Sequence, residues 1–239
     1  MKKITYFLLL SVLISSCCKD TPNPEPQEQN RITYNGVDYE TVVIGNQEWF
    51  TQNLKTESFN NGDPIDFINH TDEEEWSNTE QPTYTKINCD SISWEIGYHY
   101  NYYVVVDERN VCPSGWRVPN RHDMEILIQN AGGNYSSSYS LHTDYGWQEN
   151  PPGINSFEFN AYPNFMVWGS GSSDGTPCDF PNQEQINMTL WAKNNINDNQ
   201  YFYMSSWNNS LTRVDSRGYD SFTTIWNFNT GMGIRCIKE

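Results

Sequence analysis

Positive charge is scarce in this chain: 14 Lys and Arg stand against 30 Asp and Glu, for a formal net charge of −16. A nucleic-acid binder needs clustered Lys and Arg to neutralise phosphates, and no such cluster occurs. Nucleic acid is excluded as a partner. The same charge repels an anionic lipid surface. Long apolar runs are missing too: no segment reaches the roughly 18 apolar residues that a spanning helix needs. There is no His-Glu-x-x-His, no Cys-x-x-Cys and no close Cys/His pair, so a structural or catalytic zinc site has no sequence support. Long helical patterns are few.

What is present begins with an address. Lys2 and Lys3 precede an eleven-residue, mainly apolar stretch over residues 4–14. It is too short to cross a bilayer core of about 30 Å, but it suits a signal-peptide core. It ends in Ile14-Ser15-Ser16-Cys17, which resembles the lipobox of bacterial lipoproteins, where the cysteine is acylated and becomes the new N-terminus. Residues 1–16 are therefore expected to be a lipoprotein signal peptide, with Cys17 as the lipidation site. Acyl chains at about 0.8 kcal/mol per buried methylene make a durable anchor. Residues 17–30 hold three prolines among polar residues, an extended tether with no apolar periodicity. Lys19-Asp20 resembles the charged tag that sends some lipoproteins of the Bacteroides group to the cell surface. The expected location is the outer membrane of a Gram-negative bacterium, facing outwards and attached through lipid only. Loss of Lys2 and Lys3 leaves 12 basic against 30 acidic residues, a net charge of −18.

Residues 31–239 fit one domain, long enough to bury roughly 70% of its unfolded surface. Asn35-Gly36, between 32–34 and 37–39, is a strong two-residue hairpin signal. The β-branched run 41–44 reads as a strand closed by Gly45-Asn46. Strands are also expected over 97–106, 200–205 and 221–228, with 233–237 as an alternating closing strand. One helix is clear: Asn120 caps it, and Asp123 returns the bond. Met124, Leu127, Ile128 and Ala131 form its apolar face, and Gly132-Gly133 ends it. The Gly-, Ser- and Pro-rich stretch 169–181 has loop composition. Of six cysteines, Cys17 goes to lipid and Cys18 lies beside it in the tether. Cys89, Cys112, Cys178 and Cys236 are even in number and exported, which predicts two disulfides in any of three connectivities.

Three stretches carry a family resemblance. The first is Val43-Ile44-Gly45-Asn46-Gln47-Glu48-Trp49-Phe50-Thr51-Gln52-Asn53-Leu54. The second runs from Tyr100 through Val106 into Asn110-Val111-Cys112-Pro113-Ser114-Gly115-Trp116-Arg117-Val118-Pro119. The third is Gly233-Ile234-Arg235-Cys236-Ile237-Lys238. Together they resemble the Fibrobacter succinogenes major paralogous domain over about residues 31–239. The Cys-Pro-x-Gly-Trp block and terminal Gly-x-Arg-Cys also resemble the C-type lectin-like superfold, including its formylglycine-generating-enzyme branch. The resemblance implies an α+β fold, a twisted antiparallel sheet with one or two helices and long loops. It implies a Cys112–Cys236 disulfide, leaving Cys89 with Cys178, and framework roles for Trp49 and Trp116.

Function is read from the aromatics. His70, His99, His122 and His142 have no metal-ligand spacing. Asp72-Glu73-Glu74-Glu75 reads as adjacent acids on a loop, which form a solvated surface rather than a glycosidase pair. An oxidase of the formylglycine-generating kind needs free thiols, whereas these cysteines are read as paired. No enzyme is expected. Flat aromatic faces stack on sugar rings while Asn and Asp bond the hydroxyls, and Trp147, Trp168 and Trp207-Asn208-Asn209 fit that mixture. Trp207-Asn208-Asn209 resembles the Trp-Asn-Asp calcium motif of true C-type lectins but lacks the Asp, so no cofactor is expected. The expected activity is non-catalytic binding or adhesion, with glycan or polysaccharide as ligand. The alternative is an envelope or pilus subunit that binds a protein partner.

Overall fold

A computed structural model describes residues 30–87, 96–147, 153–164, 166–167, 187–194, 200–207, 213–218 and 228–239. Of 200–207 and 213–218 it describes the backbone and the Met204 side chain. Strands β1 (Arg31–Tyr34) and β2 (Val37–Ile44) form the expected hairpin. Asn35 and Gly36 take φ of 50° and 77°, the left-handed pair that a tight hairpin turn requires. The turn at Gly45-Asn46 then sends β2 back as β3 (Gln47–Phe50). β4 (Asp66–Phe67) and β5 (Thr83–Thr85) pair in parallel, and β6 (His99–Tyr100) pairs antiparallel to β5. β7 (Trp116–Arg117) follows the disulfide cysteine, and β8 (Asn187–Ala192), β9 (Gln200–Trp207) and β10 (Arg213–Gly218) form an antiparallel meander. β11 (Ile237–Lys238) lies between β3 and β7, completing a five-stranded sheet in the order β1-β2-β3-β11-β7.

Four helices are present among the described residues. α1 (Glu73–Asn78) and α2 (Tyr102–Val106) are short, and α3 (Arg121–Asn130) and α4 (Gly133–Leu141) are longer. α3 is built as its sequence dictates. Asn120 and Asp123 make both bonds of a capping box, and Met124, Leu127, Ile128 and Ala131 are buried. Gly132 stops it at φ 106°, and a second helix that the sequence did not announce begins at the next residue.

Three expectations are corrected. The run 97–106 is not one strand: it pairs only at His99–Tyr100 and then turns into α2. The reason is Asn101, whose side chain accepts from the Thr83 amide and donates to the Gln81 carbonyl, ending the ladder. Tertiary burial of Tyr102, Val104 and Val105 then overrides the β preference of valine. The acidic run is not a loop, because Asp72 caps α1 and Trp76 on that helix is fully buried. The closing segment does not alternate: residues 230–237 are buried throughout. It threads between the sheets, bridging Val167, Tyr100 and Leu190 through Gly231, Met232 and Gly233. The expected strand over 221–228 lies outside the described residues except for Phe228, which is in a turn, and the loop 169–181 lies wholly outside them.

The core divides around this segment. One cluster holds Tyr39, Phe50, Tyr100, Trp116, Trp191 and Cys236, and a second packs Trp49, Leu127, Phe159 and Leu190. Cys112 and Cys236 are disulfide-bonded, pinning the entry to α3 onto the closing segment. No helix among the described residues is long and apolar enough to cross a membrane.

Candidate functional site

The sequence-predicted residues are placed unequally. Trp147 lies just past α4, half-buried, with its indole stacked on His142 at 3.6 Å and its Nε1 donating to the Ala161 carbonyl. One face of that ring is already used by the fold. Trp168, Asn208 and Asn209 lie outside the described residues, as do Cys17, Cys89 and Cys178. Trp207 ends β9, with its side chain outside the description. Trp191, another aromatic of the second half, is core: it is fully buried and donates from Nε1 to the Tyr100 carbonyl. Trp49 and Trp116 are buried framework residues, as the resemblance implies.

Two residues before Trp147, which does not itself line it, Tyr145 borders a cleft of about 400 Å³, formed with β2, the residues after β3, Thr143, Asn160, Tyr162 and Arg235. That volume is within the range of small-molecule sites. Two larger hollows, about 660 and 780 Å³, lie against α3 around Arg121, His122 and Glu125, but they are more open to solvent and no Phe, Tyr or Trp ring lines them. The cleft differs in kind, since it brings rings and amides together.

On one wall stands Tyr39, stacked on Phe50 at 4.8 Å, with its hydroxyl accepting from the Lys55 amide. Burial pushes this phenol up to about 12, so it stays a neutral hydroxyl. Opposite are Tyr145 and Tyr162, tilted against one another at 5.5 Å; Tyr162 is buried and Tyr145 is 51% exposed at the rim. Gly146 makes this possible. Its φ is 82°, and a Cβ there would run into the Tyr162 ring, so only glycine lets Tyr145 and Trp147 diverge from one turn.

The polar groups are held by the framework motifs. Thr143 donates its hydroxyl to the Tyr145 carbonyl at 2.7 Å, shaping the turn. Asn155 and Asn160 bond each other twice, and both take positive φ, which folds the loop 155–160 back on itself. Asn53 is fixed between two partners: its Nδ2 donates to the Ile96 carbonyl and its Oδ1 accepts from Arg235 Nε. Arg235 lies at the floor, 1% exposed, and donates to the Phe159 and Asn160 carbonyls with its guanidinium over the Phe159 ring.

Sequence reasoning missed most of this cleft. Tyr39, Tyr162, Asn53, Asn160 and Arg235 come from distant segments that only the tertiary fold joins. Tyr145-Gly146-Trp147 is the one local signal, two rings around a glycine. Among the described residues no group of three His, Cys, Asp or Glu side chains converges to hold a metal. Gly171-Ser172-Ser173-Asp174-Gly175 has the spelling of a nucleophile elbow. Thr176-Pro177 follow it where an elbow would enter a helix, and it lies outside the described residues.

No curated protein and no solved structure matches the chain. A family model does: the Fibrobacter succinogenes major domain matches residues 42–238, a span that includes all three motif stretches, the disulfide and every wall of the cleft from the residues after β3 onwards. The chain belongs to the Fibrobacter succinogenes major domain family.

Proposed function

We propose that this protein is a non-catalytic binding module for glycan or polysaccharide, lipid-anchored through Cys17 and displayed at the surface of a Gram-negative bacterium. Residues 1–16 are its export signal, residues 17–30 its tether, and the domain that follows does the binding. A C-type lectin-like superfold accounts for the order of strands and helix, and for the disulfide that ties the helix entry to the closing segment.

The observation that carries the reading is the cleft bordered by Tyr145. Tyr145 offers a half-exposed ring at its rim, and Thr143, Asn160 and Gln52 line the same space with hydroxyl and amide groups. Rings for the apolar faces of a sugar and amides for its hydroxyls are the pairing such ligands need. No calcium is part of the proposal. A second reading, an envelope or pilus subunit with a protein partner, draws support from Tyr135, Tyr139 and Ile154, which are 84%, 39% and 53% exposed around α4.

The test is retention of the detergent-solubilised chain on a panel of soluble and insoluble polysaccharides, with and without calcium. Selective, calcium-independent retention on one or a few glycans is expected. Retention on none of them would overturn the glycan reading and favour the protein partner.

A further inference from the structure

Among the described residues Arg235 is a buried cation without a counter-charge. Its hydrogen-bond partners are Asn53 Oδ1 and the carbonyls of Phe159 and Asn160, all neutral. Among the described residues no carboxylate forms an ion pair with it, whereas Arg31, Arg109, Arg117 and Arg121 each hold one. Burial with no acidic neighbour pulls its guanidinium down to about 9, which still leaves it protonated at neutral pH. A charge removed from water and left unpaired is destabilising unless something supplies the opposite sign.

The position of this charge decides what that something is. Arg235 forms part of the floor of the cleft, and Lys55, a second basic residue, belongs to the same lining. The carboxylate in the lining, Asp38, sits on the hairpin with its side chain 54% exposed, 3.8 Å from Arg31. It answers the Arg31 charge at the surface and forms no ion pair with Arg235. A guanidinium has five N–H donors, of which three are taken by the neutral oxygens, and it matches a carboxylate fork. A neutral ligand would cover Arg235 and deepen its desolvation with nothing in return.

We propose that the cleft takes a sugar residue carrying a carboxylate, of the uronic-acid type, with its carboxyl group directed at Arg235 and Lys55. The inference rests on the glycan reading above and narrows its ligand class. The acidic surface does not exclude it. The overall negative field opposes polyanions at long range, but beyond a Debye length of about 8 Å at physiological salt that field is screened, and the contact at the floor is not.

The experiment varies the ligand, because Arg235→Gln also removes the bonds that hold the loop 155–160 and is expected to impair folding. Binding of a galacturonic-acid trisaccharide and of its fully methyl-esterified, neutral counterpart is measured on the full chain in detergent, by calorimetry at physiological salt. The acid is expected to bind at least roughly tenfold tighter than the ester, the scale of one charge-assisted contact. Lys55→Gln is expected to weaken the acid a few-fold and leave the ester unchanged, a selectivity that a merely structural disturbance would not produce. Equal affinity for acid and ester overturns the inference, as does retention on neutral glycans with no response to the acid. Both of those results leave the glycan reading standing; absence of binding to any glycan of the wider panel removes both.

Discussion

At the scale of single residues, the fold places polar and ionisable groups where their surroundings set their charge. His70 is partly buried, and desolvation holds its imidazole below its ordinary 6.5. As pH falls below 6.5 the unfolded chain binds a proton there that the folded chain resists, so stability declines with falling pH. Asp107 acts lower down. Hydrogen bonds from Arg109 hold it below its ordinary 3.8, so the stability it contributes is intact above 3.8 and is lost as pH falls through its folded value. Urea denaturation at a series of pH values is expected to show two declines, one beginning near 6.5 and one below 3.8. Replacement of His70 by Gln should flatten the first and leave the second. Arg235 shows what a residue-level reading misses. Its place in a Gly-x-Arg-Cys motif is plain in the sequence, but its complete burial, without an acid, exists only once β11, the loop 155–160 and Asn53 have met.

Among the elements, those fixed by local chemistry were legible and those fixed by neighbours were not. The Asn35-Gly36 hairpin and α3 follow from turn chemistry, a capping box and an apolar face, all within a dozen residues. The 97–106 run reads as one strand only because periodicity cannot see that Asn101 bonds a backbone some twenty residues earlier. The closing segment was read as alternating because half-buried strands alternate, whereas this one is enclosed by three sheets. The turn at 143–147 belongs to the same class: Tyr145 and Trp147 were legible as aromatics, but Gly146 acquires its meaning from Tyr162. Gly146→Ala combines a disfavoured positive φ with a clash against that ring, and should destabilise the domain by about 1–3 kcal/mol. It should also open the angle between the two tyrosines and weaken ligand retention. Chemical denaturation and retention assays on the variant check both, and an unchanged denaturation midpoint would argue against the strained turn.

For the molecule as a whole, the disulfide and the threaded terminus set the architecture. Cys112–Cys236 closes a loop with a sequence separation of 124 residues, which constrains the unfolded chain by roughly 3–5 kcal/mol in the loop-entropy model. The Cys112→Ser, Cys236→Ser variant is therefore expected to melt roughly 10 °C lower, given a few degrees per kcal/mol for a domain of this size. Because Cys236 adjoins Arg235, the same variant should loosen the cleft floor, and an unchanged melting temperature would remove the disulfide from the account of stability. The central claim is that the cleft bordered by Tyr145 is a glycan site whose rim ring is half-exposed. The most direct measurement is retention of Tyr145→Ala on a glycan that retains the parent chain, paired with its melting temperature. Tyr145 is 51% exposed, so truncation should abolish or sharply reduce retention while the melting temperature stays nearly unchanged. Full retention by the variant would contradict the claim, and so would a loss of stability of the 3–5 kcal/mol seen when a buried aromatic is truncated.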